Sequence, residues 1–325
     1  MYSFATNLCT NNLYNLCFQY IVEKLVDLPC VYLIFTFEEN FQFNYNLANS
    51  LNGKPIIIFD FSEESWQTSW NNELVLGANP DFGVRKNQNE YYKLHEWLLK
   101  QNIVGYFKRE FSIKIQNNIE NYNLKFPIFP IEAPIYDIST TMISKKQWFE
   151  RKGQVLHIYG NTHADRRLMH FELQKQSHYV VNNLSMVNKL LEHDVDFHCI
   201  EEVPSEIRYQ LNEIFAIQNN FLLSCALPGL GVKCWRNIES CVNTVPIYAD
   251  LGTKWSVPFD ESNSVVIPSR DGRINFPESI EIINNALKDK ENLYKKSIVA
   301  YETCKQYQLT NYMSKFINSK IKKIF

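Results

Sequence analysis

The segment 155–171 (VLHIYGNTHADRRLMHF) combines an apolar strand, a glycine and two adjacent arginines. The strand ends at Gly160, a polar loop follows, and Arg166 and Arg167 open a helix. Guanidinium groups in this position suit a diphosphate, because they form paired hydrogen bonds with phosphate oxygens and neutralise their charge. We therefore expect one of the two arginines to contact an anionic ligand, with a solvated arginine pair as the alternative. His157 is expected to face the sheet.

The segment 221–260 repeats this order of strand, glycine loop and basic helix. Its glycines and basic residues are Gly229, Gly231, Lys233 and Arg236. Glycines before a helix let backbone N–H groups approach a phosphate, and basic residues in a first turn are expected where an anion binds. Glu239 lies one turn after Arg236 and is placed to accept hydrogen bonds from a ribose diol. The alternative is an ordinary Arg–Glu pair on the helix surface.

Short apolar strands alternate with helical patterns along the chain, which is typical of a parallel α/β sheet covered by helices. The near-continuous apolar runs Val31–Phe37 and Pro55–Phe61 predict strands that are buried on both faces. A polar, proline-containing stretch at Ile131–Lys152 predicts a domain boundary. We expect two Rossmann-like domains, 1–140 and 141–325, that face each other across a cleft, with the last helix packing back on the first domain. Helices predicted in the second half include Arg166–Gln176, Ser205–Ile214 and Cys234–Cys241.

Composition excludes several classes of protein. The 325 residues carry a formal charge of −2, whereas a protein that binds nucleic acid through phosphate neutralisation normally has a basic surplus. The eight cysteines form no C-x-x-C pair, which argues against a metal site or a disulfide framework and for reduced, buried thiols. The N-terminus has no signal-peptide pattern. We therefore expect a cytoplasmic protein that does not bind nucleic acid.

Together, the two basic segments resemble the donor half of exostosin-like glycosyltransferases, which have the two-domain GT-B fold. The match covers roughly residues 155–267, and its residues in order are Gly160, Arg166, Arg167, Phe221, Pro228, Gly229, Gly231, Arg236, Glu239, Val245, Pro246, Pro258 and Phe259. The resemblance implies an enzyme that moves a sugar from a nucleotide-sugar donor to a glycan or other hydroxyl acceptor. It implies that Arg236, with Arg166 or Arg167, meets the diphosphate and that Glu239 meets the nucleoside. Val242-Asn243-Thr244 departs from the Gly-Cys turn of the family.

Charged residues of the first half would then supply the acceptor side. An enzyme that inverts configuration needs a general base there, and the candidates are Asp60, Glu63, Glu64 and Asp81. Asp60 and Glu63 are best placed, since they follow a strand directly. The run GYFKREF also resembles a segment of the same family, and Lys108 and Arg109 within it are expected to hold an anionic acceptor or the donor phosphates. A solvated loop is the alternative.

Two other functions remain open at this stage: a sugar-nucleotide epimerase of the same fold, and a non-catalytic nucleotide-binding or scaffold protein. No cofactor or metal is expected, because Asp194-Val195-Asp196 is the only metal-like motif and acidic turns between a helix and a strand are common. Trp66 and Trp70 are candidates for stacking on acceptor sugars. Lysines alternate with apolar residues near the C-terminus (Lys315, Lys320, Lys322 and Lys323), which indicates either peripheral contact with an anionic membrane or a solvated last helix.

Overall fold

The structure of the protein is a computed structural model. It describes residues 5–6, 16–17, 19–20, 23, 31–35, 45–51, 53–60, 67–68, 74–75, 93, 96–109, 126–132, 134–139, 141–158, 164–176, 180–181, 211–227, 235–251, 255, 257–270 and 273–324. The chain divides into two compact units. Unit 1 comprises Met1–Asp137, Gly252–Ser256 and Tyr307–Phe325, and unit 2 comprises Ile138–Leu251 and Val257–Gln306. The first crossing between units lies inside the stretch Ile131–Lys152 that the sequence singles out.

Unit 1 contains a parallel five-stranded sheet in the order β1–β2–β3–β6–β7. Its strands are β1 Ala5–Thr6, β2 Val31–Phe35, β3 Ile56–Asp60, β6 Ile103–Lys108 and β7 Ile128–Pro130. The helix α1, Tyr45–Leu51, lies between β2 and β3 in the chain. A separate antiparallel pair consists of β4 Gln67–Thr68 and β5 Leu74–Val75. Every residue of β3 is buried, as the apolar run predicts for a central parallel strand.

The C-terminal helix α8, Leu309–Ser319, completes the core of unit 1. Its buried residues are Tyr312, Met313, Phe316 and Ile317, a spacing that forms one helix face. The ring of Phe316 contacts Phe107 of β6 at 4.9 Å and Phe59 of β3 at 6.4 Å between centroids. The apolar face of this helix is therefore used inside the protein.

Unit 2 contains a second parallel five-stranded sheet, in the order β12–β11–β10–β8–β9. Its strands are β8 Lys152–Ile158, β9 Val180–Val181, β10 Phe221–Cys225, β11 Val245–Ala249 and β12 Val265–Ile267. Its helices are α2 Lys145–Phe149, α3 Ala164–Lys175, α4 Leu211–Gln218, α5 Trp235–Glu239, α6 Phe276–Lys288 and α7 Lys290–Tyr307. A short antiparallel pair, β13 Ser269–Arg270 and β14 Arg273–Ile274, precedes α6.

Local sequence signals account for two of these helix starts. Ser144 and Gln147 form a capping box at α2, in which each side chain bonds the other residue's backbone N–H. Pro277 lies in the first turn of α6, where its missing N–H costs no helical hydrogen bond.

Two predicted helices differ from those observed. The helix predicted to end at Ile214 continues to Gln218, because Phe215 and Gln218 extend the buried face that Ile214 begins. The helix predicted to end at Cys241 ends at Glu239, the last residue of α5. Residues 240–244 form turns instead, and the Thr244 hydroxyl bonds the Ser240 carbonyl at 2.6 Å.

Candidate functional site

The order of strands in unit 2 points to one place on its sheet. The chain goes from β8 to β9 on one side and then to β10 on the other side of β8. In open parallel sheets, such a reversal leaves a crevice beyond the carboxyl ends of the two diverging strands, and ligands bind there. The carboxyl ends of β8 and β10, at Ile158 and Cys225, therefore mark the candidate site.

Arg166 bridges these two strand ends. It is the third residue of α3, the helix that follows β8, and it is buried. Its Nε and Nη2 donate to the carbonyl of Leu227, two residues beyond β10, at 3.3 and 3.0 Å. One of the two guanidinium groups that are candidates for a diphosphate contact is therefore held at the crevice between β8 and β10.

The charge of Arg166 affects buried groups on both strands. His157 of β8 is fully buried, as predicted, and its pKa lies well below 6.5 because of burial, the neighbouring His170 and Arg166. Burial raises the pKa of Cys225, at the end of β10, and the charge of Arg166 partly opposes that rise. The rings of His157 and His170 meet edge to face, with their centroids 5.7 Å apart. His157, His170 and Cys225 are therefore uncharged at physiological pH.

The helix α5 also bonds the segment that follows β10. Asn237 donates from Nδ2 to the carbonyl of Ala226 at 2.7 Å, so consecutive carbonyls are bonded by α5 and by Arg166. Arg236 and Glu239 form an ion pair of 3.1 Å, with 17% and 14% of their side chains exposed. The pair predicted from the sequence is present, but it is largely buried and is not a surface pair.

The carboxyl edge of the sheet in unit 1 holds a second charged cluster. Asp60 and Lys108 are register partners at the ends of β3 and β6, and Lys108 Nζ lies 3.1 Å from Asp60 Oδ2. The Tyr106 hydroxyl donates to the same oxygen at 2.7 Å. Arg109 is also buried, and its backbone N–H donates to the Asp60 carbonyl at 2.9 Å. The alternative of a solvated loop at Lys108 and Arg109 is therefore wrong, because both residues are buried, each only 2% exposed.

Several predicted residues lie outside the described part of the chain. These are Glu63, Glu64, Trp66, Trp70, Asp81, Gly160, Asp194, Asp196, Gly229, Gly231 and Lys233. Arg167 belongs to α3, but its side chain is not described. The expected roles of these residues stay predictions.

Sequence reasoning missed Asn237 of the candidate site and a buried acid of unit 1, Glu132. The sequence could have indicated Asn237, since it lies between Arg236 and Glu239 of the predicted nucleotide-binding helix. Glu132, two residues beyond β7, is fully buried, and its backbone N–H donates to the Tyr312 hydroxyl at 2.7 Å. Nothing local marks Glu132, because its burial depends on the C-terminal helix α8.

The described residues contain no group of three or more histidine, cysteine, aspartate or glutamate side chains arranged to hold a metal ion. None of their helices combines the length and the apolar character that a bilayer crossing requires.

Comparison with solved structures identifies the fold. S. aureus TarM, of which a mutant was crystallised with fondaparinux, α-GlcNAc-glycerol and UDP, matches 95% of the chain with a TM-score of 0.50 and 12% identity. Anabaena HepE, crystallised with UDP and glucose, matches 98% of the chain and 85% of its own, with a TM-score of 0.54 and 11% identity. Sucrose-phosphate synthase from Thermosynechococcus elongatus matches 95% of the chain and 76% of its own, with a TM-score of 0.53 and 8% identity.

The chain spans 58% of the length of TarM. No protein-family model matches the sequence. The two parallel sheets and these matches show that the chain has the two-domain α/β fold of GT-B glycosyltransferases.

Proposed function

We propose that this protein transfers a sugar from a nucleotide-sugar donor to a hydroxyl acceptor, and that it holds the donor at the β8–β10 crevice of unit 2. The observation that carries the proposal is the bonding of Arg166 to the Leu227 carbonyl at the point where the strand order reverses. A fixed guanidinium at that point can neutralise a diphosphate as the bond between sugar and phosphate breaks. The fold, shared with glycosyltransferases, supports the same assignment.

In this proposal, Arg166 or Arg167 and Arg236 contact the diphosphate. Lys233 and the backbone at Gly160, Gly229 and Gly231 complete the donor pocket. Glu239 accepts hydrogen bonds from the ribose, for which it must exchange part of its bonding to Arg236. The order of these residues is also the basis for proposing an exostosin-like member of the fold.

The acceptor side of the reaction is assigned to unit 1. Asp60 or Glu63 would take the proton of the acceptor hydroxyl, and Lys108 and Arg109 would hold an anionic part of the acceptor or of the donor. Because Lys108 and Tyr106 both engage Asp60 Oδ2, the Asp60 carboxylate is held in one orientation. Such fixation suits either a positioned base or a purely structural ion pair, and kinetics of Asp60 variants separates the two roles.

A thermal-shift titration with UDP, GDP, dTDP, CDP, ADP and CMP tests the donor assignment, with UDP as the expected ligand because it was crystallised with TarM and HepE. A nucleotide at a hundred times its Kd stabilises a protein by about 2.7 kcal/mol. We expect one nucleotide to raise the melting temperature of the wild type and to lose this effect in Arg236→Ala. A folded wild type that no nucleotide stabilises would contradict the proposal.

Turnover of the matching nucleotide sugar then tests the reaction. A transferase releases the nucleotide at a rate that rises when an acceptor glycan is added. Conversion of the donor sugar without any acceptor would instead indicate an epimerase, and binding without turnover would indicate a non-catalytic protein.

We also propose that the C-terminal lysines contact an anionic membrane surface mainly by charge. Lys315, Lys320, Lys322 and Lys323 are all exposed, whereas Phe316, Ile317 and Ile321 are buried in unit 1. In the described part of this segment these three apolar side chains are buried and Ile324 is partly buried, so the attraction would be mainly electrostatic and sensitive to salt.

A further inference from the structure

A second cavity of unit 2 lies at the opposite edge of the sheet from the donor crevice. It has a volume of about 850 Å³, within the range of about 300–1,000 Å³ that small-molecule sites show. Lys152 begins β8, Asn220 precedes β10 and Asn243 precedes β11, so the cavity lies at the amino ends of three parallel strands. The five residues of β10 separate the two edges by about 17 Å. This amino-edge cavity is therefore distinct from the proposed donor site.

Arg151 organises the base of the amino-edge cavity. Its Nη1 donates to the Phe221 carbonyl at 3.1 Å and to the Asn243 carbonyl, and its Nη2 donates to Asn219 Oδ1 at 3.5 Å. Its guanidinium also stacks 4.8 Å from the ring of Trp148. Burial lowers the pKa of Arg151 to about 10, so it stays charged at neutral pH. In the part of the chain that is described, its bonded partners are all neutral oxygens, and they fix the amino ends of β10 and β11.

Three asparagine side chains of the cavity are each held at one end only. Asn220 donates from Nδ2 to the carbonyls of Ala216 and Ile217 at 3.4 and 3.3 Å. Asn243, which is 9% exposed, donates from Nδ2 to the Phe215 carbonyl at 3.2 Å. Arg151 holds the oxygen of Asn219, as described above.

The other end of each amide is open. Among the described residues, Asn219 Nδ2 has no hydrogen-bond acceptor, and Asn220 Oδ1 and Asn243 Oδ1 have no donor. Asn219 and Asn220 are exposed and Asn243 is 9% exposed, so a ligand in the cavity can replace the water at the open end of each amide. The fixed half of each amide also holds the open half in position before a ligand binds.

The mixture of open groups identifies the chemistry of the ligand. Hydroxyl groups donate and accept at once, and so they match a wall in which amide donors and acceptors alternate. The lining includes the cations Arg151 and Lys152 as well as the carboxylate of Glu150. A phosphate or sulfate only accepts, however, so it would leave the open oxygens of Asn220 and Asn243 without a donor. Phe215 and Met142 add apolar surface to the lining, which suits the C–H faces of a sugar ring. We propose that the amino-edge cavity binds an uncharged carbohydrate.

This inference goes beyond the proposed transfer reaction and does not depend on it. If both hold, a glycan bound at the amino-edge cavity raises the local concentration of neighbouring acceptor units, as any second attachment point does. The two sites must then respond to different ligands and different substitutions. The donor proposal and the carbohydrate proposal can therefore be contradicted separately.

An array of immobilised glycans tests the inference on the 325-residue chain without nucleotide. The array carries neutral gluco-, galacto-, manno-, xylo- and chito-oligosaccharides together with sulfated and sialylated ones. Ala216→Trp fills the cavity from an exposed helix position, and Asn212→Ala removes an exposed lining amide without touching the core. Glu281→Trp places the same bulk on an exposed position of α6 outside the cavity and serves as the control.

We expect a neutral glycan to bind the wild type and Glu281→Trp, to bind Asn212→Ala about 3- to 10-fold more weakly, as loss of one hydrogen bond predicts, and not to bind Ala216→Trp. Retention of no neutral glycan by the wild type, or equal retention by Ala216→Trp, would overturn the inference. Retention of sulfated or sialylated glycans alone would overturn it as well, because the cavity would then select anions. UDP titration of Ala216→Trp, by the same melting assay, reports separately on the donor site.

Discussion

Lys108 Nζ and Asp60 Oδ2 lie 3.1 Å apart at the carboxyl ends of two neighbouring strands, and their side chains are 2% and 0% exposed. The two residues face each other because β3 and β6 pair in a register that opposes Asp60 to Lys108. The pair joins a proposed base to a proposed anion-binding residue, so substitutions here affect stability and catalysis together.

The buried pair of unit 1 is expected to control stability. Asp60→Asn should lower the free energy of unfolding by about 3–5 kcal/mol, because Lys108 would remain buried without its counter-ion. The double variant Asp60→Asn with Lys108→Met should recover a large part of this loss. Urea unfolding of the two variants checks the prediction, and a double variant no more stable than the single one would contradict it. If Asp60 is also the base, kcat falls in both variants while stability differs.

Arg166 is expected to contribute charge to donor binding. Arg166→Met should weaken binding of UDP by about 10- to 100-fold, the equivalent of one or two lost charged hydrogen bonds. Arg166→Lys should bind UDP more tightly than Arg166→Met and more weakly than the wild type, since lysine keeps the charge and loses the paired geometry. Isothermal titration measures both variants. Lys175→Met, at the exposed far end of the same helix, is the matched control. A similar loss of UDP affinity in this control would show that Arg166 has no specific role in binding UDP.

His157 is expected to make the protein less stable in acid. Its folded pKa is lowered below the ordinary value of 6.5 by burial, then by His170 and Arg166. Above pH 6.5 the imidazole is unprotonated in both the folded and the unfolded state. As the pH falls below 6.5, the unfolded state binds a proton that the folded state does not bind. The free energy of unfolding therefore decreases as the pH falls from 6.5 toward the folded pKa. Melting temperatures measured across this range should fall less steeply in His157→Gln, and equal slopes would contradict the prediction.

Three thiols of unit 2 are expected to resist alkylation in the native protein. Burial raises the pKa of Cys304 to about 12 and also raises the pKa values of Cys225 and Cys241. Because the thiolate is the reactive form, iodoacetamide should modify these residues only after unfolding. Peptide mass spectrometry after a short pulse, with and without guanidinium chloride, measures the difference. Rapid native labelling of any of the three would show that unit 2 opens locally.

The exposed C-terminal lysines are expected to bind vesicles without supporting the fold. Replacing Lys320, Lys322 and Lys323 by serine should abolish sedimentation with phosphatidylserine vesicles, since each lysine near such a surface contributes about 1 kcal/mol. The melting temperature should not change, because all three side chains are exposed. A wild type that does not sediment with the vesicles at low salt would rule out the membrane contact.

Local sequence patterns predicted the strands well. Unbroken apolar runs such as Pro55–Phe61 identified buried parallel strands, because a strand covered on both faces needs apolar residues throughout. Basic residues after a strand singled out Arg166 and Arg236 as candidates, since the order of strand, loop and helix is itself a local property, and their role at a donor site stays a prediction. The extent of α4 and α5 was not predictable, because tertiary burial of Phe215 and the turns at 240–244 decide where these helices end.

The sequence by itself therefore determined the class of fold and the residue types available for anion binding. Only the tertiary structure decided their partners. Arg166 and the Leu227 carbonyl are 61 positions apart and meet because β10 inserts beside β8. Lys108 is enclosed with Asp60 because of strand register, and Glu132 is buried because the chain returns to unit 1 at Tyr307. Periodicity reports which face of an element is covered, but pairing between distant elements depends on register and strand order, which no local pattern encodes.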